Sequence, residues 1–230
     1  RDFCLSRGLG DVYKRQAPGK AEMKAAAFEM AEQVEKLVKV YKNTKVDAQM
    51  LKDADVDAVI LAIGSSPITI KLEGMDKLQH ASAPEVLRHE VCPKGKVAVI
   101  GGGLVGLETA DTLATDGCDV TVLEMKDEIG SDLGSLRKIA VMMKLQQMQV
   151  KMLPNSKVCK FTEEGIVLED ETLVPCNCAV FAVGFASNDS HLLVEECEKR
   201  QIPCRVIGDA KSARRALDAI AEGFEAARTL

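Results

Sequence analysis

Long apolar runs and clusters of basic residues are both missing from this 230-residue sequence. The longest apolar segments, residues 58–63 (AVILAI) and 179–183 (AVFAV), are far too short to span a bilayer. The formal net charge is −5 and the lysines and arginines are dispersed, which argues against nucleic acid and anionic membranes as partners. No secretory signal is visible, so we expect a soluble, cytoplasmic protein.

Redox and metal-binding spacings are also missing. The eight cysteines form no C-x-x-C pair, and the three histidines, His80, His89 and His191, show no metal-ligand spacing. Only Cys176 and Cys178 lie close together in the sequence. We therefore expect reduced thiols, buried or half-buried, and no metal site.

The first sixteen residues, RDFCLSRGLGDVYKRQ, lack an initiating methionine and show neither helical nor strand periodicity. They resemble a translated sequencing-adapter artefact, and the alternative is a natural loop from within a longer protein. We exclude residues 1–16 from the fold argument as a non-native leader. Under both interpretations the native protein begins further upstream.

From residue 17 onward, helical and strand patterns alternate, which predicts a parallel α/β architecture. Residues 20–41 are rich in helix formers, and 83–90 form a short helix with Ser82 as N-cap. Uniformly apolar runs at 56–64 and 178–184 predict strands buried on both faces. In the helix predicted from residue 135, four residues are expected to face the core: Ile139, Met142, Met143 and Leu145.

One internal repeat supports two similar α/β units. Residues 57–67 (DAVILAIGSSP) and 178–188 (CAVFAVGFASN) share an apolar strand that ends in A-x-G and is followed by small polar residues. The repeat is explained if the chain contains two similar α/β units that each end with this strand.

A glycine loop follows the predicted strand 96–100. Its G-x-G-x-x-G pattern suits a tight turn, close approach of a pyrophosphate, and close packing of helix on strand. The phosphates would face N–H groups at the helix N-terminus. The alternative is a degenerate loop that keeps only the fold. The candidate contacts are Gly101, Gly102, Gly103, Leu104, Val105 and Gly106.

Glu124 ends the next predicted strand, where an acid that binds a ribose belongs. Its carboxylate can accept hydrogen bonds from a 2′-hydroxyl but repels a 2′-phosphate, by about 4 kcal/mol per unit charge at ~4 Å and an effective dielectric of ~20. Lys126 lies near enough to soften this repulsion, yet no arginine follows. The sequence therefore favours NAD(H) over NADP(H).

These segments together resemble a known family. VIGGGLVGLETA, with Glu108 two residues after the last glycine, resembles the NADH-binding domain of flavoproteins with two dinucleotide-binding domains. That domain is inserted within an FAD domain, which supplies an A-[TI]-G strand before the insertion and a G-D motif after it. LAIGSSP at 61–67 and RVIGDA at 205–210 match both. The C-terminal GDAKSARRALDAIAEGFEAA resembles, more narrowly, bacterial enoate and 2,4-dienoyl-CoA reductases, iron–sulfur flavoenzymes of the old yellow enzyme group.

The resemblance implies an α/β fold in which a Rossmann-like NAD(H)-binding domain, residues 94–188, is inserted in a truncated FAD-binding domain, residues 17–93 and 189–230. Gly64 would line the FAD domain, and Gly208 and Asp209 would contact FAD. Gly184 would close the nicotinamide domain, and Glu108 would lie near the nicotinamide–flavin contact. The alternatives are a helix N-cap for Asp209 and a solvated first-turn acid for Glu108.

The sequence also departs from the family. Residues 1–96 contain no G-x-G-x-x-G, and Ser187-Asn188 stands where the family has Pro-Asn. The FMN-binding barrel and the cysteines for a 4Fe-4S cluster are expected only further upstream. We expect an NADH-dependent flavin oxidoreductase fragment that serves reduction of an enoate or enoyl-CoA substrate, with no catalytic residue of its own. Alternatives are an NADH oxidase or disulfide-reductase-like module and a non-catalytic NAD-binding Rossmann module.

Overall fold

A computed structural model describes residues 2–5 and 21–230 of the chain. The rest of the leader, residues 6–16, lies outside the described residues. The chain divides into two compact units. The first unit includes Ala26–Ser66 and Phe185–Leu230, and the second unit includes Pro67–Gly184. No helix in the described ranges is long and apolar enough to cross a membrane.

Helices and strands alternate along most of the described chain. The helices are α1 (Ala21–Leu37), α2 (Ala48–Asp53), α3 (Ala83–Leu87), α4 (Leu104–Thr115), α5 (Ser135–Gln147), α6 (His191–Lys199) and α7 (Ala216–Thr229). The strands up to the glycine loop are β1 (Asp2–Leu5), β2 (Lys39–Lys42), β3 (Val59–Leu61), β4 (Ser65–Pro67), β5 (Gln79–Ser82) and β6 (Lys96–Ile100). The later strands are β7 (Asp119–Leu123), β8 (Lys151–Leu153), β9 (Val158–Thr162), β10 (Gly165–Leu168), β11 (Leu173–Pro175), β12 (Cys178–Phe181), β13 (Phe185–Ser187) and β14 (Cys204–Val206).

The second unit contains a five-stranded parallel sheet in the order β5-β12-β6-β7-β8. In its register, Val99 of β6 pairs with Val122 of β7 and Val180 of β12. These valines share one face of the sheet and pack with Leu107 and Leu113 of α4. β-Branched side chains suit such a pleated, buried surface. The predicted parallel α/β architecture is confirmed.

The opposite face of this sheet is buried as well. Ala98 and Ile100 of β6 pack there with Phe161 and Phe181. Phe161 comes from the antiparallel sheet β11-β10-β9, which covers this face. Because both faces are covered, the strands read as continuous apolar runs rather than alternating ones.

The first unit has less sheet. β3 pairs in parallel with β14, and β1 with β2. The strand prediction at 56–64 is confirmed in part, because only Val59–Leu61 is extended and Ile60 is 41% exposed rather than buried on both faces. The exposure of Ile60 shows that one face of this strand is not fully covered within the described residues. Arg200 joins α6 to α2 by donating to the carbonyls of Leu51 and Ala54.

Both copies of the repeat have the same local form. In each, a strand is followed by a glycine with positive φ, +73° at Gly64 and +105° at Gly184, and then by a short strand. These short strands, β4 and β13, pair with each other. The side-chain amide of Asn188 donates to the carbonyl of Ile63 at 2.8 Å and thereby fixes the end of this pairing.

Several sequence predictions are corrected. The helix predicted over 20–41 ends at Leu37. Lys39–Lys42 is a strand because it pairs with β1, which lies within the excluded residues 1–16. Ile139 and Met143 are exposed rather than core-facing, whereas Leu145 is fully buried and Met142 packs against the core. Residues 67–93, which we grouped with 17–66, belong to the second unit, because β5 pairs with β12.

Candidate dinucleotide-binding site

The glycine loop turns directly after β6 at Gly101, whose φ of +110° lies in a region that side chains disfavour. A Cβ at Gly101 would lie 2.4 Å from the carbonyl oxygen of Ala182. The Gly101 N–H donates to the carbonyl of Leu123 at 2.8 Å, so the turn is tied to the end of β7. Only glycine fits here, as the motif requires.

The last glycine of the loop sets how closely α4 approaches β6. A Cβ at Gly106 would lie 1.9 Å from the carbonyl oxygen of Gly101, nearer than any side chain could come. Gly103 is the extended residue before α4, and Leu104 begins the helix. The loop therefore leads directly into the N-terminus of α4, whose first N–H groups have no partner within the helix and suit a pyrophosphate.

Glu124 follows β7 and holds two backbone groups. One oxygen, Oε2, accepts from the Gly102 N–H at 2.7 Å, and Oε1 accepts from the Lys126 N–H at 3.0 Å. The residue is only 9% exposed. A carboxylate offers about four lone-pair positions, so two remain for the hydroxyls of a ribose. The residues present therefore fit a dinucleotide, and their assignment as contacts stays a prediction.

Glu108 lies in the second turn of α4 and is not a solvated acid. Its Oε1 accepts from Nη2 of Arg137 on α5 at 2.8 Å, and its side chain is 18% exposed. The alternative of a solvated first-turn acid is therefore wrong, because Arg137 covers the carboxylate. Gly184 lies just beyond β12, beside β6, where its carbonyl accepts from the Ile68 N–H at 3.0 Å.

Asp132 also lies at this loop, although no sequence pattern predicts it there. Its carboxylate accepts from the Leu104 N–H at 2.9 Å through Oδ2 and at 3.1 Å through Oδ1. This residue lies in an irregular loop between β7 and α5, where no periodicity or motif marks it. In the sequence Asp132 follows two nearer acids, Asp127 and Glu128, so its position did not indicate that it folds onto the glycine loop.

In the first unit, the structure brings together the two segments that resemble FAD-binding motifs. Because β3 and β14 pair in parallel, Gly64 and Gly208 follow the same ends of neighbouring strands. Ser65 Oγ donates to Oδ2 of Asp209 at 3.2 Å, and the Arg214 N–H donates to Oδ1 at 3.2 Å. Asp209 does not cap the following helix, because α7 begins only after Arg215.

Glu222 of α7 reaches back to the same turn. Its carboxylate accepts from the Gly208 N–H at 2.8 Å and also pairs with Arg214 and Lys211. The hydrogen bond from Arg214, with that from Gly208, lowers the pKa of Glu222 to about 2. Gly208 itself has φ +60° and is buried, so the turn leaves little space beside its backbone.

The cysteines divide between buried and exposed positions. Burial raises the pKa of the Cys176 and Cys178 thiols to about 11, which keeps both protonated and unreactive. Cys92 and Cys159 are exposed, so the prediction of buried or half-buried thiols is wrong for these two. Cys4 lies outside the residues whose side chains are described.

Comparison with known proteins agrees with this geometry. The family described as pyridine nucleotide-disulphide oxidoreductase matches residues 10–209. The chain belongs to this family. It is therefore an oxidoreductase module with a Rossmann-like α/β fold, and the match supports nicotinamide and flavin cofactors.

Two curated relatives and one solved structure are similar to most of the chain. A bilirubin reductase of Mediterraneibacter gnavus is 34% identical over 93% of this chain and 34% of the relative. A cinnamate reductase of Clostridium sporogenes is 34% identical over 84% of this chain and 29% of the relative. A 2-naphthoyl-CoA reductase structure has a TM-score of 0.85 at 22% identity, covering 100% of this chain and 35% of that one. The chain thus spans about a third of the length of these proteins.

Proposed function

We propose that the second unit binds NADH and that the first unit contributes to binding of FAD. Bound together, these cofactors supply hydride transfer from NADH to FAD, whose two electrons then serve reduction of an enoate or enoyl-CoA type substrate by a domain outside this chain. The single observation that carries the proposal is the glycine loop whose Gly102 N–H donates to the carboxylate of Glu124. The cinnamate reductase, named for an unsaturated acid, supports the substrate class.

In this proposal the residues of the second unit bind and orient rather than react. Gly101 and Gly106 keep the loop narrow, and the N-terminus of α4 faces the pyrophosphate. Glu124 holds the Gly102 and Lys126 N–H groups while its remaining lone pairs accept from the ribose. Because the carboxylate is already fixed by two backbone donors, little order is lost when the ribose binds.

The test is the preference for NADH over NADPH. We expect saturable NADH binding in the micromolar range or weaker, measured by calorimetry. In Glu124→Arg the charge that faces a 2′-phosphate is reversed, so the preference for NADH should fall on the order of 100-fold. The ratio of the two dissociation constants is the readout, because any loss of loop order weakens both ligands alike.

The matched control is Asp127→Arg, which makes the same charge change at an exposed acid of the same loop. It should leave the NADH to NADPH ratio within about threefold of the parent value. An unchanged ratio in Glu124→Arg would mean that Glu124 faces away from the ribose. No saturable NADH binding in a folded sample would refute the proposed function itself.

A further inference from the structure

The N-terminus of α4 already carries an anion from the chain itself. Both carboxylate oxygens of Asp132 lie within hydrogen-bond distance of the Leu104 N–H, at 2.9 and 3.1 Å. Leu104 is the first residue of the helix, so this N–H is one of the donors that α4 cannot satisfy internally. The preceding residue, Gly103, has no side chain to cap it.

The same carboxylate covers the middle glycine of the motif. A Cβ built on Gly103 would lie 3.1 Å from Oδ2 of Asp132. In the proposed function, the absence of a side chain at Gly103 is what lets a pyrophosphate approach the backbone. The Asp132 carboxylate therefore lies directly against the space that the glycine leaves open.

The backbone beside Asp132 is attached to the loop, while the side chain is free to turn toward water. The Gly130 N–H donates to the carbonyl of Gly102 at 2.8 Å. Ile129 is buried and Leu133 packs against the core, so the residues on both sides are anchored. Asp132 itself is exposed. A side-chain rotation can move its carboxylate off Leu104 without moving the loop.

We propose that Asp132 is an internal competitor for the pyrophosphate of the dinucleotide and thereby sets how tightly the second unit binds NADH. The inference rests on the proposed function. The helix N-terminus favours either anion, and the two cannot share one N–H without strong like-charge repulsion. Binding therefore requires that the Asp132 carboxylate leave Leu104, and the lost hydrogen bond weakens the measured affinity.

The test compares NADH binding to the parent chain, Asp132→Asn, Asp132→Ala and Asp127→Asn by calorimetry. Asparagine keeps an acceptor of the same size without the charge, and alanine removes the acceptor as well. We expect both Asp132 variants to bind NADH about threefold to tenfold more tightly. ADP-ribose, which carries the same pyrophosphate without nicotinamide, should gain by the same factor. Asp127→Asn removes one charge from the same exposed loop and should change neither affinity by more than about twofold.

Thermal unfolding separates competition from simple helix capping. A cap that only supports α4 predicts a lower melting temperature in Asp132→Ala together with unchanged or weaker NADH binding. Competition predicts tighter binding even where the melting temperature falls. Unchanged NADH affinity in both Asp132 variants would overturn the inference while leaving the proposed function intact. Equally tighter NADH binding in Asp127→Asn would also overturn it, because the effect would then arise from the net charge of the loop. If none of the four proteins binds NADH, the proposed function fails, and the inference fails with it.

Discussion

In the second unit a five-stranded parallel sheet is buried on both faces, whereas in the first unit the parallel pair β3–β14 leaves Ile60 41% exposed. Both units contain one helix with an exposed apolar stripe. These residues are Leu217, Ile220 and Phe224 on α7 of the first unit, and Leu136, Ile139 and Met143 on α5 of the second unit. The two units therefore differ in how well their parallel strands are covered rather than in the amount of apolar helix surface that they expose.

The same difference extends to the candidate binding turns. In the second unit, the shape of the glycine loop is set by backbone packing, with Gly101 against Ala182 and Gly106 against Gly101. In the first unit, nothing lies within 4 Å of a Cβ on Gly64, and Asp209 and Glu222 hold the turn through side-chain hydrogen bonds. A site fixed by backbone packing keeps its geometry better than one held by half-buried side chains through their hydrogen bonds.

We expect the largest difference between the units in cofactor retention. The second unit should bind NADH, while this chain should not retain FAD, because residues 1–96 offer no glycine loop for its pyrophosphate. Losing even three charge-assisted hydrogen bonds costs on the order of 5 kcal/mol, or several thousandfold in affinity. Gel filtration after incubation with FAD, followed by flavin absorbance, measures this. A stoichiometrically yellow protein would show that the first unit retains FAD without a glycine loop.

A pair of glycine substitutions tests whether packing fixes the turns of the two units to the same degree. Gly106→Ala places a methyl group 1.9 Å from the Gly101 carbonyl, so we expect a loss of about 3 kcal/mol in the free energy of unfolding and loss of NADH binding. Gly64→Ala meets open space and carries only the cost of positive φ, about 1 kcal/mol.

Urea denaturation followed by circular dichroism, together with NADH calorimetry, measures both variants. Gly64→Ala serves as the control, since it should leave NADH affinity unchanged. Equal destabilisation by the two substitutions would show that the second unit relaxes around Gly106 and that its loop is not fixed by packing.

The second unit was the more predictable from sequence. Its strands β6, β7 and β12 and helix α4 lie where the apolar runs and the glycine loop placed them, because local pattern and tertiary packing agree there. The capping arrangement at Ser82 is also confirmed, with its N–H donating to Glu85 at 2.7 Å. The contact of Glu124 with the loop was predictable because a strand end fixes its position relative to the loop.

Predictions failed where the local structure depends on contacts with residues far away in the sequence. Lys39–Lys42 has helical composition, but pairing with β1 makes it a strand, and that partner segment carried no usable pattern. Ile139 and Met143 were predicted to face the core, but they are exposed, because the buried stripe of α5 is the one that contains Leu145. Asp132 could not be placed because its loop is shaped by contacts of Gly130 and Ile129 with the glycine loop rather than by its own sequence.

The smallest expected effect is the pH dependence of the Gly208 turn. The pKa of Glu222 is about 2 in the folded chain, below the ordinary value of 4.5. The unfolded chain therefore takes up the proton first as the solution is acidified. The stabilising contribution of Glu222 is complete above pH 4.5 and is lost as the pH falls toward 2.

Glu222→Gln should accordingly lower the melting temperature near pH 6, and the gap from the parent chain should close between pH 4.5 and 2. Thermal unfolding followed by circular dichroism across this range measures the gap. Glu225→Gln, on the same helix, removes the pair with Arg228 but not the contact with Gly208, and should show a smaller gap. A gap for Glu222→Gln that persists unchanged to pH 2 would mean that its ionised carboxylate does not hold the turn.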